Sequence, residues 1–139
     1  MKKYKVSTIK AEELDVNGYI WPKEVLERAV EKMNRKPFLI QLDYSSDGTV
    51  RIARVSGFTI PGTAVFKDGQ IFSGIKWVRT DSGLEGRDCV ESKGCVMGGC
   101  WVGRYDGNRI KEDAELSYIA IIVSPPTNVE ESDLLRKEQ

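Results

Sequence analysis

Between Pro22 and Asn34 the apolar residues Val25, Leu26, Ala29, Val30 and Met33 recur at intervals of three and four, with charged residues between them. That is the period of a helix with one buried face, and it predicts a helix over about 22–34. Pro22 opens it, where a missing N–H costs nothing. Glu24 stands four before Arg28 and Glu31 four before Arg35, an ion-pair order worth a few tenths of a kcal/mol, ~0.3, per pair. Pro37 stops the helix.

Elsewhere the pattern shortens to that of strands, predicted at 4–10, 38–42, 49–60, 64–66, 70–79, 95–102 and 116–123. Turn residues separate them: Asp15-Val16-Asn17-Gly18, Ser45-Ser46-Asp47-Gly48, Pro61-Gly62, Lys67-Asp68-Gly69 and Asp106-Gly107-Asn108. The last strand is almost wholly apolar at its end, which predicts a central position covered on both faces. The polar stretch 80–94 predicts a short helix over about 81–92. Pro125-Pro126 ends the fold, and the charged residues from Asn128 predict a frayed or helical C-terminus. The fold class is therefore α+β and β-dominated, with about seven mostly antiparallel strands in a barrel or sandwich. It forms one domain over 1–127 with a charged tail over 128–139.

Composition narrows the function more than the fold. Of 139 residues, 40% are hydrophobic and 30% charged, which suits a globular domain. Lysine plus arginine equals aspartate plus glutamate, at 21 each. That balance gives no long-range attraction to nucleic acid or to an anionic membrane. It also gives little repulsion between copies, which suits self-association or an assembly. No window reaches the ~18 apolar residues of a membrane span, and the basic start lacks a signal-peptide core. The expected compartment is a cytosol, where Cys89, Cys95 and Cys100 default to free thiols.

Candidate chemistry is thin. Histidine is absent from the whole chain. Three cysteines without histidine make a poor zinc set, and no glycine-rich phosphate loop is present. No metal, cofactor or small-molecule substrate is expected. Cys100 could act as a nucleophile, but a thiol needs a base, and Asp43 is a poor one unless burial raises its pKa by several units. Trp21, Trp77 and Trp101 suit a core or an interface as well as a stacking platform.

The order of segments resembles the prohead (head-maturation) proteases of tailed phages. Asp15-Val16-Asn17-Gly18-Tyr19-Ile20-Trp21-Pro22 looks like that family's N-x-N-G-R-x-Y-P run leading into a helix. Gln41-Leu42-Asp43-Tyr44-Ser45 is similar to its G-E-L-D-H-P segment, and Arg54-Val55-Ser56-Gly57-Phe58 to its V-S-H strand. Met97-Gly98-Gly99-Cys100-Trp101-Val102-Gly103 resembles the segment bearing its serine, and Glu115 to Val123 its closing strand. The resemblance spans about 4–126. It implies a β-barrel flanked by helices, similar to herpesvirus assembly proteases.

The diagnostic residues differ. Tyr44 stands at the family's histidine, Gly57 at a second histidine, and Cys100, or Trp101 one register on, at its serine. The resemblance thus implies an emptied active site on a kept fold, since loss of triad members costs several orders of magnitude in rate. The leading expectation is a non-catalytic phage or prophage head protein. It would act as a structural, decoration or capsid-assembly component, in the host cytoplasm during assembly or in the virion head. Its partners would be capsid or other head proteins, met through Trp101, Tyr44 and Phe58. One alternative is a divergent cysteine protease using Cys100 with Asp43 nearby. Another is a regulator or inhibitor that mimics the protease.

Overall fold

The structure, a computed structural model, describes residues 1–46, 50–122 and 134–137. The Asp47-Gly48 tip of the expected Ser45–Gly48 turn and the Pro125-Pro126 stop lie outside them.

Among the described residues the chain forms eleven strands and two helices. β1 is Tyr4–Lys5, α1 Lys23–Met33, β2 Leu39–Ser46, β3 Val50–Thr59, β4 Val65–Lys67, β5 Gln70–Ser73 and β6 Ile75–Trp77. After them come α2 Asp81–Ser92, β7 Val96–Gly103, β8 Tyr105–Asp106, β9 Arg109–Ile110, β10 Glu115–Ile122 and β11 Leu134–Lys137.

Helix α1 forms where the apolar period predicts it and buries Val25, Leu26, Ala29 and Met33. The valine, leucine and methionine side chains each contribute roughly 1.5–3 kcal/mol. Pro22 is extended (ψ 142°) and caps the helix from outside without a side-chain acceptor. Glu12, distant in sequence, supplies that acceptor: its Oε2 takes the Lys23 N–H at 2.8 Å. Arg35 pairs with Glu31 as the spacing implies, while Arg28 donates to the Ala114 carbonyl. Helix α2 also falls where expected, with Thr80 Oγ1 accepting the Gly83 N–H. It lies close on β3. A Cβ at Gly83 would overlap the Val78 carbonyl, and one at Gly86 would sit 2.5 Å from Ser56 Oγ.

The strands form three open sheets rather than the expected barrel. The largest has the order β11-β7-β10-β2-β3-β6, with β11 and β6 as its two edges among the described residues. A second sheet is β1-β5-β4, and β8-β9 is a hairpin. Most pairs are antiparallel, but β10–β2 and β11–β7 are parallel.

Two expected strands break up for physical reasons. The run at 70–79 divides at the buried Gly74, so β5 stays in the small sheet while β6 crosses to the large one. Such a change of sheet needs a bend that a continuous pleat does not allow. The strand at 4–10 shrinks to Tyr4–Lys5, since Ser7 Oγ bonds the Ile9 N–H and competes with a ladder bond.

The turn at Asp68-Gly69 joins β4 to β5 with φ of 53° and 79°, the left-handed pair that a two-residue hairpin demands. β10 is central as predicted, flanked by β7 and β2, with Ile119, Ala120 and Ile121 buried. The expected frayed or helical C-terminus gives way, at Leu134–Lys137, to a strand parallel to β7.

Candidate functional site

Strand register fixes where the sequence-predicted site residues stand. One row of paired residues runs Gly99–Ile119–Ile40–Gly57–Trp77 across β7, β10, β2, β3 and β6. A second runs Val96–Ile122–Asp43–Ala53. Cys100 pairs with Tyr118 and with Leu134, while Tyr44 pairs with Ile52, one residue beyond Asp43.

At ~3.3 Å per residue and ~4.8 Å per strand, Cys100 is about 16 Å from Asp43 and about 19 Å from Tyr44, backbone to backbone. Gly57 is about 15 Å from Cys100 and about 14 Å from Tyr44 on the same rule. The three family positions are therefore not brought together as assigned. Hydrogen-bond reach between a nucleophile and its base is ~3 Å. The β7 residue on Asp43's row is Val96, four before Cys100.

Gly57 also has a local explanation. Gly57 is buried where β3 meets β6, and a Cβ there would stand 2.6 Å from the Lys76 carbonyl oxygen and 3.3 Å from the Trp77 Cα. Backbone cannot yield as a flexible side chain does, so this position excludes histidine by packing.

Trp101 corrects the expectation of a partner anchor. It is 1% exposed and packs against Trp21, with ring centroids 4.9 Å apart and the planes tilted by 50°, so it belongs to the core. Trp21 is in turn held by Asp15, whose Oδ2 accepts its Nε1–H at 2.8 Å. Asp15 Oδ1 takes the Asn17 and Tyr19 N–H groups. The Asp15–Pro22 run that carried the family resemblance is thus a structural entry to α1. Phe58 does reach the surface, at 37% exposure beside Val55 at 40%.

The cysteines divide. Cys89 and Cys95 are joined as a disulfide with Cα atoms 5.3 Å apart, against the expectation of three free thiols. α2 and the turn after it bring the two side chains together, which spacing alone did not reveal. Cys100 remains a thiol and is half-buried. Alternation along β7 turns it away from the face that carries the buried Met97 and Trp101.

A cavity of about 410 Å³ lies at the Val96 end of β7, lined by Lys5, Ile9, Lys10, Leu14 and Val16 among others. Leu14 and Val16 are 64% and 61% exposed. Sequence reasoning missed this surface. The available signal was two apolar residues flanking Asp15 in a polar turn.

Elsewhere, Glu91 on α2 accepts from the Tyr4 hydroxyl, Lys2 and Arg87. These bonds, the tyrosine's above all, hold its carboxyl well below the usual range, at about 2. Among the described residues, no group of three or more His, Cys, Asp or Glu side chains is placed to hold a metal ion. Among the described residues no helix is long and apolar enough to cross a membrane.

The chain matches no family model and no curated protein sequence. Its fold is similar to that of the bacteriophage T4 capsid assembly protease gp21. The TM-score is 0.56 at 16% identity, over 86% of this chain and 78% of that one. At that identity the likeness is one of fold.

Proposed function

We propose that this chain is a non-catalytic phage or prophage head protein, working as a structural, decoration or assembly component on a fold like that of a capsid assembly protease. The observation that carries the reading is the sheet register. It sets Cys100 about 16 Å from Asp43 in a chain that has no histidine at all. The fold is compatible with a protease, so the proposal turns on the residues and not on the architecture.

In this reading contact with head proteins runs through the exposed apolar positions of β3, Phe58 and Val55, next to the edge strand β6. An open edge offers unpaired backbone groups to an added strand. The test is the chain's copy number in purified proheads and mature heads, together with cleavage of capsid protein by the purified chain. Presence in the particle with no cleavage supports the proposal. Cleavage that disappears in Cys100→Ser would replace it with a cysteine protease of head maturation. Absence from particles together with capture of an active protease would replace it with a protease-mimicking regulator.

A further inference from the structure

The turn from α2 into β7 carries two sulfurs in unequal settings. Cys89 is 4% exposed inside the helix packing, whereas Cys95 is half-buried at the start of the strand. The Cys95 N–H also donates to the Cys89 carbonyl at 2.9 Å, so the bridge closes a turn that the backbone already holds. Thiol–disulfide exchange needs an attacking thiolate to reach a sulfur. Only Cys95 offers that access. From this geometry we propose that Cys89–Cys95 is an exchange site for a small thiol of the glutathione class, with Cys95 as the residue attacked.

A glutathione thiolate attacks Cys95 Sγ. A sulfur–sulfur bond forms between them, the Cys89–Cys95 bond breaks, and Cys89 leaves as a thiolate that takes a proton from water. A second glutathione thiolate attacks the glutathionyl sulfur of the mixed disulfide. Glutathione disulfide departs, and Cys95 leaves as a thiolate and is protonated. Two glutathione thiols are oxidised to one disulfide, and the protein disulfide is reduced to two thiols.

The exchange acts on the cavity. Cys89 is two residues before Glu91, which holds Lys2 and Tyr4, and Lys5, next to Tyr4, lines the cavity. Cys95 directly precedes Val96, which lines it too. The bridge therefore joins two segments whose sequence neighbours line the cavity. Trp77 reports on it, since its Nε1–H donates to the Tyr4 hydroxyl at 3.3 Å and its ring meets Tyr4 edge-on at 5.6 Å.

The experiment uses the full chain as Cys100→Ser, so that only the pair is read. It is equilibrated in glutathione–glutathione disulfide mixtures, quenched with acid and alkylated. The expected result is no alkylated cysteine at the oxidising end and two at the reducing end, with a shift in Trp77 emission between them. With Cys89 also changed to Ser, glutathione disulfide adds one glutathionyl group at Cys95. With Cys95 changed to Ser instead, Cys89 gains none. Two alkylated cysteines in the oxidising mixture, or glutathionylation of Cys89 rather than Cys95, would overturn the proposal. The first readout needs neither cysteine-pair variant to fold.

Discussion

At the residue scale, two positions that look functional in the sequence are explained by packing. Gly57 has the Lys76 carbonyl where a Cβ would go. Gly57→His should therefore destabilise by more than the ~1–3 kcal/mol of ordinary overpacking, and it should not create activity. Urea unfolding and a peptidase assay check both parts. Trp101→Ala removes one of two mutually packed tryptophans from the core and should cost ~3–5 kcal/mol. An unchanged unfolding midpoint would place Trp101 at a surface.

Glu91 gives a pH signature. Its folded pKa of about 2 lies below the ordinary 4.5, so its contribution is present above 4.5 and is lost as pH falls through about 2. The difference in Tm between the native chain and Glu91→Gln should be full at neutral pH and should shrink across that window. The absence of histidine was readable at once. The reasons at Gly57 and Trp101 were not, because both depend on neighbours that are distant in sequence or set by strand register.

At the element scale, periodic signals transferred and contact signals did not. Both helices stand where the apolar period and the polar stretch place them. Each start nonetheless depends on a partner. For α1 that partner is Glu12, itself in a left-handed conformation (φ 61°) and gripped by both guanidinium nitrogens of Arg109. A non-glycine residue at positive φ is uncommon, and here the side chain's bonds to Lys23 and Arg109 hold it. Those same bonds keep its carboxyl below the usual range, the Arg109 bond first. Glu12→Ala should lower stability by about 1 kcal/mol, the scale of a lost N-cap acceptor, and should speed amide exchange in the first turn of α1. Equal exchange in the two proteins would show the cap to be idle. Strands whose ends are set by a local turn, such as β4–β5, were legible. The division at Gly74 was not, because it depends on which sheet each half joins.

At the scale of the whole molecule, the α+β, strand-dominated class was legible and the closure was not. A barrel and an open sheet share the same alternation and the same short turns. They differ only in whether the two edge strands meet, which no local pattern encodes. The likeness to the T4 capsid assembly protease covers 86% of this chain and is one of fold. The site assignment was less legible. A one-dimensional match placed Cys100 at the serine, whereas the sheet sets Val96 level with Asp43. If the exposed apolar face of β3 is the contact surface, Phe58→Ala should weaken co-assembly with head proteins at least tenfold while leaving the unfolding midpoint unchanged. A fall in both together would assign Phe58 to the core instead.

The parallel pairing of β2 with β10 also governs how the chain is made. Ile40 and Ile119 sit side by side in the sheet, although most of the sequence separates them. During synthesis β2 and β3 emerge with one edge waiting, and that edge stays unsatisfied until β10 follows. Contacts so remote in sequence slow folding, and a waiting strand edge invites pairing with another chain. A molecule wired in this way depends on completing its own centre before a neighbouring copy does so.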